Sequence, residues 1–71
     1  MGAERLDDAV AVFELYVELF PEDANAHDSL GEACMNAGKG ELAIKNYSKS
    51  IAINPGNRNG REILEKLENE E

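Results

Sequence analysis

Two stretches of the chain, AVAVFELYVELFP at residues 9–21 and AIKNYSKSIAINP at residues 43–55, decide the fold. They lie 34 residues apart and match in residue type at six of thirteen positions. The matched pairs are Ala9 with Ala43, Val10 with Ile44, Phe13 with Tyr47, Val17 with Ile51, Leu19 with Ile53 and Pro21 with Pro55. A pattern that recurs at a fixed period of about 20–50 residues is typical of stacked supersecondary units.

The apolar spacing in and around these stretches predicts an all-α fold with four helices. No segment alternates polar and apolar residues over a useful length, so strands are not expected. Pro21 and Gly38 supply stop signals, Asp23 is a suitable N-cap, and NPGN at 54–57 predicts a turn. The predicted helices run from about Leu6 to Phe20, Ala24 to Ala37, Glu41 to Ile53 and Asn57 to Glu70.

The residues between and within the two stretches carry a family resemblance. The spacing His27-x-x-Leu30-Gly31-x-x-Cys34, followed by Ala43, Tyr47 and Pro55, resembles the tetratricopeptide repeat. Tyr47 stands where the family has phenylalanine. His27 and Cys34 stand where it usually has tryptophan and tyrosine, so the two largest packing residues of the family pattern are replaced.

The resemblance implies a single domain, residues 1–71, built as antiparallel helical hairpins of an α-solenoid. Residues 6–23 would be the second helix of a truncated repeat, residues 24–57 a complete repeat and residues 58–71 a capping helix. Charged residues in the last segment fit a cap, because its outer face would meet water. The chain would then be the C-terminal segment of a larger protein.

In this family the first helix of each hairpin supplies most ligand contacts, so the resemblance implies a non-catalytic protein–protein interaction module. A solvated helix face is the alternative. Because this face is acidic, it would repel a carboxylate, and a basic or amphipathic peptide is the expected partner. The matching positions here are Asn25, Asp28, Glu32, Met35, Asn59 and Glu62.

The first helix suggests an alternative function, because well over half of its circumference is apolar. An apolar face of this kind usually marks an interface. The chain could therefore be a structural or self-association element that recruits no ligand and forms a homodimer. The residues predicted for self-association are Val10, Val12, Phe13 and Tyr16.

Composition restricts the partners and the compartment. The net charge is −8, from 15 acidic and seven basic residues, which argues against nucleic acid and anionic membranes as partners. A single cysteine cannot form an internal disulfide, so the cytoplasm is the expected compartment. The apolar run from Ala9 is interrupted by Glu14 and Glu18, which suits neither a signal peptide nor a membrane span.

His27 and Cys34 share one helix face, but they do not predict a metal, a cofactor or catalysis. A zinc site needs about four ligands, and there is no second pair with ligand spacing. Seven residues along one helix separate the two by about 10 Å, too far for a nucleophile and its base. Both are expected to pack in a helix–helix interface. Glycine inside a helix costs about 1 kcal/mol, so Gly31 needs a packing reason. The tetratricopeptide resemblance implies one, because this position lies where the paired helices approach closely, with Ala43 as the small partner.

Overall fold

The computed structural model describes residues 2–69 of the chain, with side chains from Arg5 onward. This part is entirely helical, with four helices and no strand, so the all-α prediction is confirmed. The predicted end of the last helix, Glu70, lies outside the described residues. The helices are α1 (Gly2–Leu19), α2 (Ala24–Asn36), α3 (Gly40–Ile53) and α4 (Arg58–Asn69).

The two ends of α2 are formed by the residues that the sequence indicated. Asp23 has extended backbone angles, and its carboxylate accepts the N–H of Asn25 at 2.9 Å. Gly38 has φ of +77°, the left-handed conformation that ends helices. Its N–H donates to the Met35 carbonyl, and the N–H of residue 39 donates to the Cys34 carbonyl. The predicted N-cap and stop are both confirmed.

Helix α1 begins at Gly2, four residues before the expected start at Leu6. Apolar spacing marks only the part of a helix that packs against something. Residues 2–5, which end with the exposed Arg5, include no large apolar side chain that would mark a packed face. Hydrophobic periodicity therefore could not locate the start of α1.

The helices pack in chain order, with α1 on α2, α2 on α3 and α3 on α4. They form a flat body of 35 × 31 × 15 Å. Side chains from the first three helices make up the buried core, while α4 adds the half-buried Ile63, Leu64 and Leu67. The buried core residues are Val10, Leu30, Ala33, Cys34, Ala43 and Tyr47.

Tyr47 on α3 explains the glycine inside α2. A Cβ atom added to Gly31 would lie 3.0 Å from Cδ2 and Cε2 of the Tyr47 ring. The ring is fully buried, so it packs directly on the bare backbone of α2. The space left by the missing side chain is therefore filled by the aromatic ring. Ala43, the small residue expected near Gly31, lies in the same core.

The connections α1–α2 and α3–α4 repeat each other's hydrogen bonds with an offset of 34 residues. Both place a four-residue turn, 20–23 and 54–57, between the helices. In both, a side chain of the following helix donates to the carbonyl of the turn proline. In the first connection the N–H of Phe20 donates to the Tyr16 carbonyl, that of Asp23 to the Phe20 carbonyl, and His27 Nε2 to the Pro21 carbonyl. In the second, the N–H of Asn54 donates to the Ser50 carbonyl, that of Asn57 to the Asn54 carbonyl, and the Arg61 guanidinium to the Pro55 carbonyl.

Candidate partner-binding surfaces

Asn57 links three helices where α4 begins. Its Oδ1 accepts the Gly60 N–H at 3.0 Å, which caps α4. Its Nδ2 donates to Oδ2 of Asp28 on α2 at 2.8 Å and to Oγ of Ser50 on α3 at 3.0 Å. Ser50 is fully buried, so this amide satisfies a hydroxyl that has no access to water.

The face predicted to bind a partner is polar. The side chains of Asn25, Glu32, Asn59 and Glu62 are exposed there. Asp28 is half-buried and already engaged by the amide that caps α4. We call the six predicted residues the α2–α4 face: Asn25, Asp28, Glu32, Met35, Asn59 and Glu62.

Met35 differs from the rest of this face because it is half-buried and packs against the core. It therefore offers a partner less apolar area than the sequence suggested. The α2–α4 face is best described as a hydrated acidic surface with one partly accessible apolar side chain.

The acidic character of this face extends to the core beneath it. Burial, together with smaller contributions from the carboxylates of Asp28 and Glu32, raises the pKa of Tyr47 to about 12. The Tyr47 hydroxyl has no hydrogen-bond partner among the described residues. A buried phenol beside two carboxylates is held firmly in its neutral form.

Three of the four residues predicted for self-association do not form an outward face. Val10 is only 6% exposed and belongs to the chain's own core, which corrects its assignment. Phe13 is half-buried against that core. Tyr16 is half-buried, and its hydroxyl donates to Oδ2 of Asp23 at 3.1 Å. At about 100° per residue, Val10 lies about 200° around α1 from Val12, so the prediction combined opposite sides of one helix.

The outward side of α1 nevertheless carries an apolar patch, which we call the α1 outer face. The exposed fractions are 63% for Val12, 55% for Leu15, 64% for Leu19 and 56% for Phe20. These fractions correspond to roughly 400 Å² of apolar surface, comparable to the largest patch on a typical monomer. The Phe20 ring also packs edge-on against the Tyr16 ring, with centroids 5.8 Å apart.

The internal repeat shows that this patch is not needed to build the helix. Thirty-four residues after Val12, Leu15 and Phe20, at the end of the same helix–turn arrangement, the chain has Asn46, Lys49 and Asn54. Ile53, which matches Leu19, is half-buried. The sequence signal that could have selected Leu15 and Phe20 is therefore the difference in polarity between the two copies, not their similarity.

A groove lies along α3, between it and α1. Its volume is about 610 Å³, within the range of small-ligand sites. No carboxylate is among the described residues that line it. The groove, which we call the α1–α3 groove, is lined by Val17, His27, Lys45, Asn46, Ser48 and Lys49. Sequence reasoning missed it, although two lysines one helical turn apart in an acidic chain were a usable signal.

His27 and Cys34 are both buried, as the packing interpretation expected. Burial raises the pKa of the Cys34 thiol, the Glu14 carboxylate raises it further and Lys39 opposes the shift. A thiol held in this form is a weak nucleophile. His27 donates from Nε2 to the Pro21 carbonyl at 2.8 Å, and its buried Nδ1 has no partner within the described part of the chain.

Comparisons with protein families, curated proteins and solved structures give no match to this chain. Among the described side chains, residues 5–69, no group of three or more histidine, cysteine and carboxylate side chains is arranged to hold a metal ion. None of the four described helices is long and apolar enough to cross a membrane.

Proposed function

We propose that this chain is a non-catalytic protein–protein interaction module that binds its partner through the α1 outer face. The observation that carries the proposal is the contrast between the two halves of the internal repeat. The same backbone arrangement presents polar side chains on α3 and exposed Val12 and Leu15 on α1. Since folding does not require the apolar residues, binding is the remaining physical reason for exposing them.

We also propose that the architecture is tetratricopeptide-like. Three features support this assignment: the 34-residue offset of the connections, the packing of each helix on the next, and the Gly31–Tyr47 contact between the paired helices. In such arrays each unit stacks on its neighbours, and surfaces left free at the ends are available to other chains.

The charges around the α1 outer face define the partner's chemistry. Asp7, Asp8, Glu14 and Glu18 on the same helix are all exposed. They favour a basic amphipathic helix, whose apolar stripe would cover Val12 and its neighbours while its cations meet the carboxylates. The same charges oppose self-association, because two copies would bring acidic helices together. The α2–α4 face, with exposed Glu32 and Glu62, would extend the attraction for a basic partner.

A triple variant tests the proposal. Val12→Asn, Leu15→Gln and Leu19→Gln replace the three helical residues of the apolar patch, leaving Phe20, without changing the net charge. Leu42, which is 43% exposed on α3, provides a matched control as Leu42→Gln. The probe is a synthetic basic amphipathic helix of about 18 residues, with binding followed by fluorescence anisotropy. We expect wild type and the control to bind and the triple variant to lose at least about tenfold in affinity.

Two results would contradict this function. One is equal affinity of wild type and the triple variant for the basic helix, and the other is no binding by wild type. Light scattering over a concentration series separates the alternative function. A dimer in wild type that becomes a monomer in the triple variant would mean that α1 covers itself with a second copy.

A further inference from the structure

We propose that the α1–α3 groove is a second binding site, which takes an acidic peptide segment with two carboxylates one helical turn apart. This site does not depend on the α1 outer face. Val17, its contribution from α1, lies about 200° around the helix from Leu15. Both sites can therefore be occupied in the same molecule.

The charge of the groove is opposite to that of the chain. Acidic residues outnumber basic ones by 15 to seven overall, but the described lining carries two ammonium groups and no carboxylate. Lys45 and Lys49 are exposed and one turn apart on α3, a rise of about 6 Å. Two carboxylates at positions i and i+4 of a bound helix have the same spacing, so each can meet one ammonium group.

The neutral polar groups of the groove add hydrogen-bonding capacity. Ser48 is exposed and offers a hydroxyl donor to a carboxylate. Asn46 donates its Nδ2 to the Leu42 carbonyl at 2.8 Å, which leaves Oδ1 available to a donor from a ligand. The half-buried Val17 supplies an apolar wall.

The dimensions of the groove favour a peptide over a bare anion. Its volume of about 610 Å³ and the apolar wall of Val17 suit a peptide segment, and two ammonium groups one helical turn apart are too widely spaced for one small anion. His27 lines the groove but is only 6% exposed, and its Nε2–H donates to the Pro21 carbonyl, so it forms part of the wall. The net charge of −8 disfavours a polyanion such as nucleic acid.

The test compares two double variants that change the net charge equally, from −8 to −12. Lys45→Glu with Lys49→Glu reverses the groove. Arg58→Glu with Lys66→Glu places the same change on α4, which contributes no residue to the described lining. All four positions are exposed, so the fold should be retained, and circular dichroism checks this. The probe is a helical peptide with glutamates at i and i+4, and its control is the glutamine twin.

We expect the groove variant to bind the glutamate peptide at least about tenfold more weakly than wild type, and the α4 variant to lose less than about threefold. The glutamine twin should be weaker on wild type by a similar factor. Equal losses in the two variants would overturn the site, since only net charge would then matter. No binding by wild type would overturn it as well.

Nuclear magnetic resonance locates the peptide. We expect backbone amide shifts in α3 and around Val17. Shifts confined to the α2–α4 face or the α1 outer face would overturn the location. Inorganic phosphate that matches the glutamate peptide in affinity would overturn the peptide specificity. Failure of the basic helix on α1 leaves each of these measurements unaffected, so the two proposals stand or fall separately.

Discussion

Removing one oxygen atom from the core should stabilise this protein. Tyr47 is fully buried, and its hydroxyl lacks a hydrogen-bond partner among the described residues. A buried hydroxyl without a partner costs about 1–3 kcal/mol relative to the same group in water. Tyr47→Phe keeps the ring against Gly31 and removes that cost. We expect a gain of about 1–2 kcal/mol at pH 7, which raises the melting temperature by about 4–8 °C per kcal/mol in a domain of this size.

The gain should grow at high pH. The folded-state pKa of Tyr47 is raised to about 12 by burial and by the Asp28 and Glu32 carboxylates, whereas the unfolded value is 10.0. The folded protein therefore holds the Tyr47 proton more tightly than the unfolded chain does. This contribution to the free energy of unfolding is fully present below pH 10 and is lost as the pH rises towards 12, because the unfolded chain releases its proton first. The full shift is worth about 2–3 kcal/mol, and about half of it is expressed one pH unit above the unfolded pKa. The difference between Tyr47→Phe and wild type should therefore widen by about 1 kcal/mol by pH 11.

Urea denaturation followed by circular dichroism at 222 nm, at pH 7, 9, 10 and 11, measures both effects. The pKa of Tyr16 is also raised, by its bond to Asp23, but Tyr16 is present in both proteins and cancels in the difference. Destabilisation of Tyr47→Phe by more than about 1 kcal/mol at pH 7 would refute the unpaired hydroxyl. A difference that stays constant between pH 9 and 11 would refute the raised pKa.

Three further substitutions test the packing and the caps. Gly31→Ala should destabilise the fold by about 1 kcal/mol in thermal melts, because overpacking against the buried Tyr47 ring outweighs the better helix propensity of alanine. A rise in melting temperature would show instead that the ring can move. Asn57→Ala should cost about 2–3 kcal/mol in urea titrations, since it removes a cap and leaves the buried Ser50 hydroxyl unpaired. Asp23→Ala removes the equivalent cap of α2 and should cost only about 1 kcal/mol, because the bonds of Asp23 to Asn25 and Tyr16 are at exposed or half-buried positions. Equal losses of stability in Asp23→Ala and Asn57→Ala would contradict the larger role of Asn57. Val12→Asn with Leu15→Gln should change the free energy of unfolding by less than about 1 kcal/mol, and a larger loss would mean that the α1 outer face is part of the fold.

The all-α fold followed from the sequence because its signals are local. Pro21, Asp23 and Gly38 act within a few residues of their own positions, so their roles could be assigned before any packing was known. Helix existence was also secure, since apolar spacing persists over several turns. The start of α1 was lost because the polar residues before Leu6 give no periodic signal.

The contacts between helices were harder to predict. Gly31 was correctly assigned a packing role, but its contact with the Tyr47 ring was not predicted, because the sequence does not tell which side chain of α3 reaches the α2 backbone. Val10 and Val12 were grouped as one surface, although a rotation of about 200° around the helix places them on opposite sides of α1. The α1–α3 groove depends on residues from three helices, so Lys45 and Lys49 could indicate its charge but not its walls.

The matched connections 20–23 and 54–57 have a consequence for protein engineering. His27 and Arg61 differ in shape and chemistry, yet both donate to a proline carbonyl six residues earlier. The connection therefore tolerates exchange of the donor side chain as long as a donor of suitable length is retained. A tandem copy of residues 24–57, inserted after residue 57, would begin and end at equivalent positions, directly after one four-residue turn and with the last residue of the next. We expect such a chain to gain one hairpin without new linker design, so that its length can be adjusted in steps of 34 residues.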